Sequence, residues 1–113
     1  MTIHDFLKER GYQGPVEDHF KDHAVYFYRR IPNTSHQWLV YEYCIAHQGK
    51  LHYSYNVQIV YETFDGVWTK SEFYGLQEEV VRDKLEQLEQ RLYNCVTSMG
   101  GDKKDYRGSW EKV

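Results

Sequence analysis

The clearest alternation of apolar and polar positions lies between residues 51 and 61. The odd-numbered positions from Leu51 to Tyr61 are aliphatic or aromatic, whereas the even-numbered positions from His52 to Gln58 are polar. A period of two is typical of a strand that has one face on a core and one face in water. We therefore predict a half-buried strand here, with its odd-numbered side chains in the core.

Three other segments have the composition of strands. Residues 24–31, 37–46 and 67–74 are rich in β-branched and aromatic side chains, and turn-forming residues separate them. The segment 37–46 is apolar on both sides, as expected of a strand in the middle of a sheet. In the segment 24–31, Arg29 interrupts an otherwise apolar row. Together with the strand at 51–61, these segments predict a four-stranded antiparallel meander.

The turn between the second and third of these strands predicts how they pair. In His47-Gln48-Gly49, a glycine in third place is typical of a three-residue loop with a G1 bulge. Such a loop pairs Ala46 with Lys50 and Tyr43 with Tyr53. We therefore expect the odd-numbered rows of both strands to share one face.

The dipeptide Asp65-Gly66 predicts a two-residue turn before the last strand. In the resulting register, Lys70 and Glu72 face the apolar side of the preceding strand. Either the segment 67–74 is an edge strand whose inward charges prevent edge-to-edge association, or a bulge shifts its parity. We favour the edge strand.

Two helices are predicted, one at each end of the chain. Thr2 is a suitable N-cap for a short helix over residues 3–10, and Gly11 ends that helix. Beyond Gly14-Pro15, residues 16–23 form either one or two helical turns or a loop. Residues 76–99 predict a long helix, because its apolar residues recur at alternating spacings of four and three. These residues are Val81, Leu85, Leu88, Leu92, Cys95 and Met99.

These elements predict an α+β fold in a single domain over residues 1–113. The long C-terminal helix packs on the odd-numbered face of the sheet, and 113 residues suffice for one core. Residues 102–113 have no periodicity but include Tyr106 and Trp110. They form either a flexible tail or a segment that packs back onto the domain.

The composition is that of an ordinary globular protein, with 41% hydrophobic and 27% charged residues. A net charge of −3 disfavours a protein that neutralises many phosphates. No stretch reaches the ~18 apolar residues of a membrane span and no secretory leader begins the chain, so we expect a cytoplasmic protein. Cys44 and Cys95 lack the spacing of a metal or redox motif, and we expect them to be thiols.

Candidate chemistry is sparse in this sequence. His19 and His23 are spaced so that a helix would bring both imidazoles onto one face, but no third metal ligand is evident. No phosphate-binding glycine loop occurs, and no nucleophile has both a base and an orienting group. We therefore predict no metal, no cofactor and no catalytic activity.

The functional prediction rests on the even-numbered face of the sheet, which the single long helix leaves uncovered. An apolar patch with a polar rim on this face indicates a protein partner or a second copy, although the N-terminal helix and the tail could also cover it. The predicted contact residues are Trp38, Val40, Glu42, Asn56 and Gln58. We expect a non-catalytic protein-interaction module, such as a small microbial or phage accessory, inhibitor or immunity-type protein. Eleven tyrosines agree with a binding role, since Tyr is common at interfaces.

The alternative function is that of a single-stranded nucleic-acid-binding protein. Arg29 and Arg30 follow Tyr28 in an aromatic segment, and such residues can hold phosphates and stack on bases. The same residues also have a structural interpretation, in which one arginine points outward and the other lies along aromatic rings.

Overall fold

The computed structural model describes residues 1–18, 23–63, 66–98 and 110–112. Six strands of these residues form one antiparallel sheet, in which the strands are ordered as in the chain. A short helix precedes the sheet and a long helix follows its fifth strand, so the predicted α+β fold is confirmed. In chain order the elements are α1 (Ile3–Glu9), β1 (Gln13–Glu17), β2 (Ala24–Arg30), β3 (Gln37–His47), β4 (Lys50–Thr63), β5 (Gly66–Leu76), α2 (Glu78–Ser98) and β6 (Trp110–Lys112).

The sheet is wider than the four strands predicted, which correspond to β2–β5. β1 lies where a helical turn or a loop was expected to begin, and it pairs with β2 around the cis peptide bond between Gly14 and Pro15. β6, with three residues of the predicted tail, pairs with β5. Within the described residues the sheet thus has five strands of five or more residues and a short sixth strand at its edge.

The predicted register between β3 and β4 is wrong by one residue. His47 pairs with Lys50, so Gln48-Gly49 is a two-residue turn rather than part of a three-residue loop. Both turn residues have positive φ, 51° for Gln48 and 75° for Gly49, as a type I′ hairpin turn requires. The shift changes the face of every β3 side chain relative to β4. It places the even-numbered residues of β3 beside the odd-numbered residues of β4.

The prediction that β5 is an edge strand is also wrong, because β6 pairs with its residues 68–70. The alternative of a bulge is confirmed: the β4–β5 register shifts on both sides of Val57. Before the shift Lys70 pairs with Ile59, and after it Phe73 pairs with Val57. The bulge therefore returns an aromatic residue to the row that faces the core.

Both helices lie on the same side of the sheet, against the odd-numbered row of β4. Thr2 caps α1 by accepting a hydrogen bond from the Asp5 backbone amide, as predicted. Ile3 and Leu7 of α1 join the residues of α2 and of the sheet in one hydrophobic core. The largest side chains that are almost fully buried are Leu7, Phe27, Val40, Tyr55, Val57, Ile59, Val81, Leu85 and Leu92.

The opposite side of the sheet, which neither helix contacts, is called here the helix-free face. Its centre is formed by even-numbered residues of β2 and β4 and odd-numbered residues of β3, as the strand registers show. These residues are Tyr26, Tyr28, Leu39, Tyr41, Tyr43, Ser54, Asn56 and Gln58.

Candidate functional site

A buried carboxylate, Glu89, lies on the core side of α2. It is 3% exposed and accepts hydrogen bonds from Arg10, from Arg29 and from the Tyr12 hydroxyl. The two guanidinium nitrogens lie 2.8 and 2.9 Å from its oxygens. A buried charge is costly unless it is paired, and here two permanent cations pair with one anion. We call these residues the Glu89 cluster.

Aromatic rings hold the arginines of the Glu89 cluster in place. The Arg29 guanidinium lies 4.6 Å from the ring centre of Trp38 and 5.3 Å from that of Tyr12. The Trp38 ring nitrogen in turn donates to the Glu89 backbone carbonyl. Burial, followed by the charge of Glu89, raises the pKa of Tyr12 well above its ordinary value. The cluster therefore joins α1, β2, β3 and α2, and its contacts are structural.

A second buried carboxylate, Glu42, lies on β3 at the bottom of a pocket. It is 8% exposed and faces α1. The Tyr55 hydroxyl donates to one Glu42 oxygen at 2.8 Å, and Nε2 of His4 lies 3.1 Å from both oxygens. The imidazole of His4 makes an edge contact with the Phe27 ring, which fixes its position on the core.

The pocket above Glu42 has a volume of about 520 Å³ and lies between α1, the first half of β4 and the start of α2. A smaller hollow of about 370 Å³ shares Tyr53, Tyr55 and Glu78 with it. We call the larger space the Glu42 pocket. Its walls are formed by Thr2, Ile3, His4, Glu42, Tyr53, Tyr55, Glu78 and Arg82.

The electrostatic environment of the Glu42 pocket disfavours additional negative charge. Burial, the hydrogen bond to Glu42 and the charges of Glu42 and Glu78 all raise the pKa of the Tyr55 hydroxyl. The pKa of Tyr53 is raised as well, first by its hydrogen bond with Cys44 and also by the charge of Glu42. Both phenols therefore keep their protons at neutral pH.

The helix-free face has a row of tyrosine rings across β2 and β3. Ring centres lie 5.4 Å apart for Tyr26 and Tyr41, and 6.0 Å apart for the stacked rings of Tyr41 and Tyr43. Tyr28 extends the row and donates to the Gln13 side chain at the sheet edge. Tyr26, Tyr28 and Tyr43 remain partly exposed.

The five predicted partner-binding residues do not share a face. Asn56 and Gln58 lie on the helix-free face, but Trp38, Val40 and Glu42 lie on the side that the helices cover. The placement of those three is a correction caused by the register of the β3–β4 hairpin. Val40 is fully buried, Trp38 contacts α2, and Glu42 lines the Glu42 pocket.

The three residues of the nucleic-acid alternative are also divided between the faces. Tyr28 and Arg30 lie on the helix-free face, whereas Arg29 belongs to the Glu89 cluster. The structural interpretation of the two arginines is thus confirmed. Of the histidine pair, His23 is exposed, and His19 lies outside the described residues.

Sequence reasoning missed His4, Tyr55 and Glu89 as parts of polar clusters. A signal existed for Glu89, because Leu85 and Leu92 are spaced four and three residues from it on the same helical face. No local signal points to His4, since only the packing of α1 brings it to Glu42.

Within the described residues, no three His, Cys, Asp or Glu side chains are grouped so that they could hold a metal ion. None of the helices in the described segments is long and apolar enough to cross a membrane. Comparison with protein-family models, curated proteins and solved structures gave no match to this chain.

Proposed function

We propose that this chain is a non-catalytic protein-interaction module that binds a second copy of itself through the helix-free face. The observation that carries the proposal is the row of tyrosines across β2 and β3, namely Tyr26, Tyr28, Tyr41 and Tyr43. Tyrosine offers a large apolar ring and a polar end with few rotatable bonds, which favours its use in interfaces.

The chemistry around the tyrosines supports a protein partner. The row is flanked on β4 by Ser54, Asn56 and Gln58, and Leu39 lies within it on β3. Uncharged side chains with hydrogen-bonding ends are typical of the centre of a protein interface, where charged residues are depleted. A surface that binds nucleic acid needs cations for phosphates, and Arg30 at the end of β2 is the arginine on this part of the face.

The centre of the face has few charges, of which the Asp18 carboxylate interacts with the buried Tyr41 hydroxyl, and this supports a second copy as the occupant. In a two-fold dimer, residues near the axis meet their own copies, so a charged centre would repel itself. A tyrosine ring can stack on the same ring of the second copy, and an amide side chain can form hydrogen bonds with the same amide. At the end of the face, Ile45 is 61% exposed and would add apolar area to such a contact.

The test is the mass in solution, measured by light scattering and sedimentation over a concentration series. We expect a dimer, of twice the 13.7 kDa chain mass, that dissociates when Leu39→Glu places a charge at the centre of the face. Gln87→Glu adds the same charge on the exposed side of α2 and should leave the dimer intact. A monomer at all concentrations, or a dimer unaffected by Leu39→Glu, would contradict the proposal.

Nucleic-acid binding is the alternative, because Tyr28 and Arg30 share the helix-free face. Fluorescence anisotropy with a labelled single-stranded oligonucleotide separates the two functions. We expect no salt-sensitive binding. Affinity that falls steeply with salt and is lost in Arg30→Ala would instead favour the alternative.

We also propose a cytoplasmic location. Cys44 and Cys95 form no disulfide, which is the usual state of cysteines in a reducing compartment.

A further inference from the structure

The two buried carboxylates differ in the charge of their partners. Glu89 pairs with two guanidiniums, which carry their charge at every physiological pH. Glu42 has contacts with a phenol and an imidazole, and the imidazole is a cation only when it is protonated. Among the described residues, Glu42 thus has no permanently charged partner, although a buried carboxylate ordinarily has one. Glu42 also opens into a pocket.

Among the described residues that line the Glu42 pocket and the adjoining hollow, carboxylates outnumber guanidiniums. Glu78 lines the pocket with Glu42, and Glu79 lines the adjoining hollow. The guanidinium of Arg82 also lines the pocket, but it donates to the Met1 carbonyl and lies 3.7 Å from Glu78. The start of α2 adds a partial positive charge of about one half, which is smaller than the charge of its two first-turn glutamates. In the described lining of the two spaces, three carboxylates thus accompany one guanidinium and one imidazole, which favours a cation there.

We propose that the Glu42 pocket binds an alkylammonium group, which supplies the cation that Glu42 lacks. The ammonium lies near Glu42 and Glu78, and the alkyl chain packs against the rings of Tyr53 and Tyr55. Tyrosine rings attract cations through their π faces, and they also cover apolar chains. Burial is the main cause of the raised pKa of Tyr55, and the charges of Glu42 and Glu78 raise it further, which agrees with a site that favours positive charge.

The geometry favours an ammonium over a guanidinium. Guanidinium recognition depends on a carboxylate whose two oxygens are both available for parallel hydrogen bonds. Both oxygens of Glu42 already have contacts with His4, and one also accepts from Tyr55. An ammonium is a compact charge that does not require two free carboxylate oxygens in parallel. This inference concerns the side of the sheet that the helices cover, and it does not depend on the proposed dimer.

The first experiment is an NMR titration of the ¹⁵N-labelled protein with lysine capped as its Nα-acetyl, N-methylamide derivative. We expect saturable shifts at the amides of His4, Glu42 and Tyr53. The equally capped norleucine has a similar chain without the charge and should cause no saturable shift. Capped arginine should bind at least threefold more weakly than capped lysine.

The second part of the experiment uses variants that remove one negative charge each. Glu42→Gln should weaken binding of capped lysine at least tenfold, and Glu78→Gln severalfold. Glu86→Gln, on the exposed side of α2, is the matched control and should bind as the parent protein does. Should Glu42→Gln fail to fold, Glu78→Gln decides the result, because the side chain of Glu78 is 41% exposed.

Three results would overturn the proposal: equal shifts with capped norleucine, unchanged affinity in Glu78→Gln, or a response to CaCl₂ or MgCl₂ with none to the amine. The source of the ammonium is tested with 1,4-diaminobutane. Binding of capped lysine alone identifies a lysine side chain of a partner, and binding of the diamine alone identifies a free alkylamine. Either result supports the proposed chemistry.

Discussion

Glu89 and Arg29 each occupy a position where the apolar pattern favours a hydrophobic side chain. Arg29 interrupts the apolar row of β2, and Glu89 lies between Leu85 and Leu92 on the buried side of α2. Two charges of opposite sign on core faces indicate a buried ion pair, because neither could be buried alone. The sequence therefore contains the signal for this pair. It contains none for Arg10 and Tyr12, whose contacts with Glu89 depend on where α1 packs.

For single residues, we predict that Glu89→Ala strongly destabilises the fold. The change leaves two guanidiniums without their carboxylate, and their side chains are 27% and 29% exposed. Loss of one partner of a buried ion pair costs about 3 kcal/mol, at the lower end of the usual range because water reaches these arginines. Urea unfolding measures the loss. Glu86→Ala, on the exposed side of α2, should change the stability by less than about 0.5 kcal/mol. Equal losses in the two variants would contradict a paired role for Glu89.

Among the elements, the β3–β4 hairpin shows why an alternating pattern can fail to fix a register. β3 has Trp38 and Val40 on one face and Leu39 and Tyr41 on the other, so either face could enter the core. Which face of β3 enters the core then depends on the length of the turn between β3 and β4. A glycine after Gln48 fits both a two-residue and a three-residue loop, since both require a left-handed residue at that position.

The turn itself provides a prediction that distinguishes the two registers. In the two-residue turn Gln48 has a φ of 51°, a conformation that asparagine adopts more readily than glutamine. Gln48→Asn should therefore raise the stability by about 0.5 kcal/mol, measured by thermal or urea unfolding. In a three-residue loop Gln48 would have negative φ, and the substitution would bring no gain. Gly49→Ala, at a φ of 75°, should lower the stability by about 1 kcal/mol.

The two strands that the sequence did not predict are short and lack an apolar pattern. β1 contains Gly14 and Pro15, which ordinarily indicate a break. Proline is tolerated there because β1 is the edge strand of the described sheet. β6 has three residues, too few for a period of two to be recognised. Their positions are set by the neighbouring strands rather than by their own composition.

For the molecule as a whole, the order of elements and their layers follow from the sequence. The long helix and the strand β4 have strong single periods, and the structure confirms both. The Glu42 pocket could not be predicted, because it is formed only when α1, β3, β4 and α2 come together. The predicted grouping of the five binding residues on one face was wrong in part. The register of β3 and β4 differs by one residue from the prediction, and this difference places Trp38, Val40 and Glu42 on the core side.

The buried tyrosines predict a loss of stability in alkaline solution. Burial raises the pKa of Tyr12, Tyr41 and Tyr55, whereas in the unfolded chain tyrosine ionises near pH 10. Above that pH the unfolded state releases protons that the folded state keeps. The contribution of these tyrosines to the free energy of unfolding is therefore constant below about pH 10 and falls above it, by up to about 1.4 kcal/mol per pH unit for Tyr12.

Urea unfolding between pH 9 and pH 11.5 measures this dependence. Tyr12→Phe removes one ionising group, so its stability should fall less steeply with pH than that of the parent protein, although it starts from a lower value. The same slope in both proteins would show that Tyr12 does not retain its proton in the folded state.

The Glu89 cluster also sets a lower limit on the part of the chain that can fold by itself. Its contacts join Arg10 and Tyr12, which follow α1, to Glu89 in the middle of α2, 79 and 77 positions further along the chain. A fragment without residues 1–12 would keep Arg29 as the guanidinium of the cluster and would lose the core residues Ile3 and Leu7. The first helix is thus as much a part of the minimal folding unit as the central strands are, and the smallest autonomous segment runs from α1 through α2.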